Sequence, residues 1–156
     1  MSDSDSSPTE RKKKFYKILI AADGSEASMD AADYAIEIAR KCDSELIALY
    51  VILSDITTFG TNLPPHIIEI RQQAKQHLDK IKQKLSDQGY NDKIQMRTEI
   101  ISSVTTVGGI VNFAERENID LIAIGTRGRS GFKKLLLGSV ASGVVTYAHC
   151  PVMVVK

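Results

Sequence analysis

The stretch LIAIGTRGRSGFKKLLLGS, residues Leu121 to Ser139, joins an all-apolar run to a loop that gathers four glycines and four cationic side chains. A short apolar run closed by glycine predicts a strand covered on both faces, the environment found in parallel sheets with helices above and below. Ser139 to His149 predicts a helix, so the loop lies where a buried strand hands the chain to a helix. Gly125 ends the strand, where a missing side chain lets the backbone turn and a ligand approach closely. Gly128 and Gly131 can adopt positive φ and turn successive N–H groups toward one point, forming an anion-binding concavity. Gly138 and Ser139 open the helix, whose first amides have no internal partner and whose dipole favours negative charge. Phosphate is the guest this arrangement predicts.

Working outward, the same alternation of strand and helix recurs. KILIAAD (17–23) is a buried-strand run stopped by Asp23-Gly24-Ser25, and Ala32, Ala35, Ile36 and Ala39 then repeat at helical spacing with Ser25 as N-cap. ELIALYVIL (45–53) is a second buried run. After Pro64-Pro65 a longer helix carries Ile67, Ile70, Ala74, Leu78, Ile81 and Leu85 on one face and stops at Gly89. In KIQMRTEII (93–101) apolar residues alternate with polar ones, which predicts a strand toward the edge with one wet face. A helix over 104–118 holds Gly108 and Gly109, a costly pair inside a helix, for which close packing against a strand is the expected reason. PVMVV (151–155) is the final strand.

Strands separated by helices need right-handed crossovers, which build a parallel sheet. The expected fold is α/β: a single doubly wound, Rossmann-like open sheet of five parallel strands with helices on both faces. Ligands in such sheets sit beyond the carboxyl ends of the strands where the winding reverses, here among loops 23–25, 53–64 and 125–139.

The chain has 156 residues and a formal net charge of +1, which fits one domain and gives no broad basic footprint for nucleic acid or anionic membrane. Its two cysteines, Cys42 and Cys150, form neither a CxxC pair nor a zinc spacing and read as reduced thiols. No apolar run approaches the roughly 20 residues of a membrane span and no signal-peptide core is evident, so a soluble cytoplasmic protein is expected. Residues 1–14 are polar and predict a disordered tail ahead of a domain over 15–156; Lys12, Lys13 and Lys14 serve either docking or solubility. His66, His77 and His149 lack metal-ligand spacing and read as surface or packing residues, and no metal site or catalytic set is assigned.

The glycine spacing matches neither a Walker A loop, since Phe132 follows Gly131, nor a dinucleotide fingerprint, since AADGSEAS has one glycine. What stands is Gly125-x2-Gly128-x9-Gly138-Ser139. With KILIAADGSEAS at the start, DLIAIGTRGRSG in the middle and GSVASGVVTYAHCPVMVVK at the end, it closely resembles the universal stress protein family over about residues 16–156. That resemblance implies an adenine nucleotide alpha hydrolase-like fold, commonly a homodimer, and the kept spacing places the chain in the ATP-binding branch. Carried over, the family pattern implies that Ala22 and Asp23 meet the adenine and ribose end and that Val51 closes the adenine pocket. It also implies that Gly125 lies under the ribose, and that Gly128, Gly138, Ser139, Val140 and Ala141 offer amides to the phosphates, with Mg²⁺ accompanying ATP. Arg127, Arg129, Lys133 and Lys134 either reach phosphate or face water. Asp23 reads equally as a turn residue, Val51 as core, and Ser139 as an N-cap.

Hydrolysis would need a water-orienting group and a held metal ion, and no motif for either is evident, which leaves slow turnover of ATP as the alternative to none. The expected role is a nucleotide-responsive binding and signalling module in stress response. Alternatives are an adenine-nucleotide-dependent enzyme, a flavin-binding electron-transfer subunit, and a dimeric interaction protein without nucleotide. ATP pyrophosphatases carry Ser-Gly-Gly-x-Asp-Ser after the first strand, where this chain has Ala-Asp-Gly-Ser. PVMVV as an uncovered edge predicts a homodimer through residues 151–156.

Overall fold

The computed structural model describes residues 14–54, 63–126 and 137–156. The expected tail lies outside the described residues except for Lys14, as do the cationic side chains of the glycine loop. Five strands, β1 (Lys17–Ala22), β2 (Glu45–Leu53), β3 (Met96–Ser103), β4 (Leu121–Gly125) and β5 (Val152–Val155), alternate with four helices, α1 (Glu26–Cys42), α2 (Pro65–Asp87), α3 (Thr106–Arg116) and α4 (Ser139–Tyr147). The strands lie in the order β3-β2-β1-β4-β5 and every neighbouring pair is parallel. The winding therefore reverses between β1 and β4, and both outer positions go to strands with less burial, β3 and β5.

Period-two alternation along the central strands splits the core into two layers. Ile18, Ile20, Leu46 and Ala48 face α1 and α2, where Ala32, Ala35, Leu78 and Ile81 meet them. Leu19, Ile47, Leu49 and Ile122 face α3 and α4, against Ile110, Phe113 and Val144. The small alanine face of α1 lets it lie close to the sheet.

Helix ends follow local chemistry. The Ser25 hydroxyl accepts the Ser28 N–H at the start of α1, and Thr105 does the same for Gly108 at α3. α2 ends as expected near Gly89, at φ +77°, with Gly89 N–H bonded to the Ser86 carbonyl. Three elements differ from expectation by more than one residue. β3 begins at Met96 because the amides of Lys93 and Ile94 both turn back to the Tyr90 carbonyl. α3 spans 106–116, closed by Asn118 in the left-handed region at φ 54°. α4 stops at Tyr147, ahead of Pro151, whose ring and missing N–H cannot continue a helix. The Gly108-Gly109 pair is resolved in part: a Cβ on Gly109 would stand 2.8 Å from Val51 Cγ1 and 3.0 Å from Ser103 Cβ, so α3 packs there directly on β2 and β3.

At the amino end of the sheet, Arg97 on the edge strand holds three carboxylates, Glu45, Glu99 and Glu117, at 3.2, 2.9 and 2.6 Å. The bond to Glu117 leads in raising the Arg97 guanidinium above its ordinary value. This charged clasp covers one side of β3, as edge strands need.

Candidate functional site

At the opposite, carboxyl end of the sheet, the reversal between β1 and β4 opens a cavity of about 420 Å³. A drug-sized or nucleoside-sized molecule fits a space of this order. It is lined by Ala22 and Asp23 from the end of β1, Val51 from β2, Gly125 from β4, and Gly138, Ser139, Val140 and Ala141 from the start of α4. These residues, brought from four separate parts of the chain, are the candidates read from the sequence. The remaining two, Arg127 and Gly128, lie outside the described residues.

The wall divides by chemistry. One end is apolar: Leu49, Leu53, Ile70 and Ile110 join Val51 there. The other end is α4. Its N-cap is Gly138, which has no side chain to offer, and no side-chain cap bond forms. Ser139 is the first helical residue rather than the cap. The first intrahelical bond runs from the Ser142 N–H to the Gly138 carbonyl, 2.9 Å, so the amides of Ser139, Val140 and Ala141 precede the helical ladder. Two backbone bonds fix this end against the sheet: Gly138 N–H donates to the Thr126 carbonyl, 2.6 Å, and Thr126 N–H to the Val155 carbonyl, 2.8 Å.

The side facing β1 presents main-chain groups of a different kind. Glu45 N–H bonds to Tyr16 on the β1 side, whereas Leu46 and Ser54 bond toward β3, and both registers run without a bulge. Odd-numbered residues of β2 therefore direct their polar groups toward β1. Pairing with β1 stops at Ala22 and Tyr50, while β2 runs on to Leu53. Beyond that point the Val51 carbonyl and the Leu53 amide look across the end of β1, where both residues line the cavity.

Among the described lining residues, Asp23 alone carries a formal charge. Its Oδ1 accepts the Ser25 N–H at 2.8 Å, so the turn role read from the sequence is realised at the cavity wall. Gly125 shows a cause that sequence reasoning missed: an added Cβ would lie 2.7 Å from the carbonyl carbon and Cβ of Ala27, so the first turn of α1 demands glycine there. Thr126, buried at 5% exposure, is a lining residue that stands inside the quoted motif. Ile70, Thr106 and Ile110 carried no such signal, because their helical spacing is the same for a core face and a cavity wall. Among the described residues no group of three or more His, Cys, Asp or Glu is placed to hold a metal ion, and no helix is long and apolar enough to cross a membrane.

A family model described as universal stress protein family matches residues 14–156. The chain belongs to the universal stress protein family. Universal stress protein MJ0531 of Methanocaldococcus jannaschii is 39% identical over 148 residues, which span 91% of this chain and 82% of that one. The solved structure of protein MJ0577 superposes with a TM-score of 0.76 at 29% identity, covering 91% of this chain and 96% of the other. Two further structures share the fold at TM-score 0.64: a universal stress protein in complex with cAMP, 22% identical over 92% of this chain and 98% of the other, and one from Archaeoglobus fulgidus in complex with dAMP, 20% identical over 91% and 98%. The five-stranded parallel sheet with helices on both faces is thus the universal stress protein fold.

Proposed function

We propose that this universal stress protein binds an adenine nucleotide, ATP, in the cavity at the sheet reversal and serves as a nucleotide-responsive binding module. The observation that carries the reading is the pairing of two main-chain features across one cavity: the uncapped amides of α4, and the Val51 carbonyl with the Leu53 amide beyond the end of β1. The helix amides and dipole suit phosphate oxygens. A carbonyl and an amide two residues apart on one strand edge suit the 6-amino donor and ring N1 acceptor of adenine. Guanine presents the reverse order, a carbonyl and an N–H, and would set oxygen against oxygen at Val51.

In this reading Ala22 and Asp23 meet the ribose and Gly125 lies beneath it. Ser139, Val140 and Ala141 hold the phosphates, and Gly138 keeps the helix entrance clear. Arg127 and Gly128 contribute from the glycine loop. The neighbours named for cAMP and dAMP support an adenine nucleotide, and the glycine spacing supports the triphosphate. Mg²⁺ would arrive bound to phosphate oxygens, because Asp23 is the one described carboxylate in the lining. A cytoplasmic location and a homodimer complete the proposal.

The test is to strip the purified protein of small molecules, identify what is released, and titrate ATP, ADP, AMP, adenosine and GTP by calorimetry. ATP should bind tightest, with adenosine weaker by tenfold or more, the worth of about 1.4 kcal/mol of phosphate contacts. Equal affinity for ATP and adenosine would remove the phosphate role, and equal affinity for GTP the base contact.

A further inference from the structure

His77 stands two turns along α2 from the cavity-lining Ile70, on the same face of the helix. Its imidazole occupies the space a Cβ of Gly24 would fill: that position lies 2.6 Å from Cε1 and Nε2 and 2.8 Å from Cδ2. Gly24 has φ +83°, so the left-handed backbone favours glycine there, and the ring fills the space a side chain would take. The same imidazole lies nearly parallel to the Tyr50 ring, 8° between planes and 6.1 Å between centroids. Tyr50 is the last β2 residue paired with β1 and lines the cavity, as does Asp23, the neighbour of Gly24.

The turn Asp23-Gly24-Ser25 is therefore held from two sides. From α1, the Ser25 hydroxyl caps the helix while the Ser25 amide holds Asp23 Oδ1. From α2, the His77 ring closes the space behind Gly24. A left-handed glycine with open space at its Cα can swing; one backed by an aromatic ring must displace that ring, which is itself stacked on Tyr50. The Asp23 carboxylate would then meet a ribose already in place, which lowers the ordering cost of binding.

We propose that His77 is a positioning residue for the nucleotide site, bracing the Asp23-Gly24 turn from behind so that Asp23 meets the ribose hydroxyls. The inference rests on the adenine-nucleotide reading and goes beyond it, because His77 does not line the cavity. Its signature is ribose dependence. A residue that merely supports the fold would weaken every ligand alike, whereas one acting through Asp23 matters only when the ligand has ribose hydroxyls.

The experiment compares wild type, His77→Ala and His77→Phe by calorimetry with ATP and with 2′,3′-dideoxy-ATP. His77→Ala should weaken ATP roughly tenfold, the scale of one charge-assisted hydrogen bond, and leave dideoxy-ATP within about twofold of wild type. His77→Phe, which keeps a planar ring, should restore most of the ATP affinity. Equal losses for both ligands, or no loss for either, would overturn the inference while leaving the nucleotide reading intact. Failure of the wild type to bind ATP at all would instead overturn that reading, and the inference with it. Should His77→Ala not fold, the His77→Phe and wild-type ligand pairs still decide: ribose-dependent weakening in Phe, smaller than in no-ring variants such as His77→Gln, supports the bracing, and identical behaviour of Gln, Phe and wild type refutes it.

Discussion

Gly109 backs Val51, a residue of the cavity wall, where α3 meets β2. With no side chain there, α3 lies against Val51, and a methyl group would come within 2.8 Å of Val51 Cγ1. Valine is stiff at χ1, so relief must come from moving the β-branched side chain or the strand edge. Replacing Gly109 by Ala gains about 1 kcal/mol of helix propensity and loses a similar amount to the contact, leaving the melting temperature almost unchanged. ATP affinity should nevertheless fall several-fold in calorimetry, because Val51 is displaced toward the base. Gly125 is the opposite case. The methyl of Gly125→Ala would meet main-chain atoms of Ala27, which cannot rotate away, and the expected cost is on the order of 2 kcal/mol, read as a melting point lower by about 5 °C. Cys150 gives a prediction in pH. Burial first, and the nearby Asp120 carboxylate second, push its thiol above the ordinary range. A raised value leaves less thiolate at pH 7, so alkylation of Cys150 by iodoacetamide should be slow there and accelerate only as pH rises beyond the usual thiol range, in a Cys42→Ser background. Rapid labelling at pH 7 would contradict this.

At the scale of elements, the contrast among helix starts separates packing from function. α1 and α3 carry their own hydroxyl caps, from Ser25 and Thr105, and α2 starts at Pro64-Pro65 without a side-chain cap, whereas α4, which opens on the cavity, begins at a glycine. Gly138 has φ −65° and ψ 161°, a conformation in which an aspartate side chain could cap the helix. Gly138→Asp should therefore stabilise the ligand-free protein slightly, by a few tenths of a kcal/mol, the difference between an aspartate and a glycine cap, while its carboxylate occupies the amides and repels phosphate. Thermal melting and calorimetry should move in opposite directions: a higher melting point, weaker ATP, unchanged adenosine. Parallel loss of ATP and adenosine would mean that the phosphates do not use this helix end. The elements themselves were legible because burial on both faces leaves all-apolar runs such as Leu121–Ile124, and because a residue such as Ser25 or Gly89 marks a boundary by its own chemistry. The start of β3 was not, because the turn at Tyr90 is made by main-chain bonds to which Lys93 and Ile94 contribute no distinctive side chain. Likewise the motif residues of the cavity could be read from glycine spacing, while Ile70 and Ile110 could not, since a helix face looks the same whether it meets core or cavity. His77 could be read only as a surface or packing residue for a related reason: the role proposed for it depends on Gly24, 53 positions away, and only the fold brings the two together.

For the whole molecule, strand order places the cavity and the sheet edge on different parts of the same frame. β5 ends the sheet beyond β4, with four residues and half-buried Val152, Met153 and Val154. The Pro151 and Val155 carbonyls accept from Ile122 of β4 and from Thr126 just after it, so odd-numbered residues face inward and Val152 and Val154 direct their N–H and C=O groups to the open edge. Unpaired main-chain groups beside apolar side chains form a template for another strand, and in a two-fold assembly the natural occupant is the same strand of a second copy. That pairing would also link two cavities, because the Val155 carbonyl bonded to Thr126 ties the edge to the start of α4. The proposed homodimer is therefore open to a selective substitution. Val154→Pro removes one outward N–H without touching a bond to β4, and proline is tolerated where an edge strand faces away from its sheet. Light scattering at micromolar concentration should give twice the chain mass for wild type and the single chain mass for Val154→Pro, with far-UV circular dichroism unchanged. A wild type that stays monomeric under those conditions would refute the dimer. A variant that stays dimeric would move the interface away from β5, to a surface such as the exposed Val145 and Tyr147 of α4.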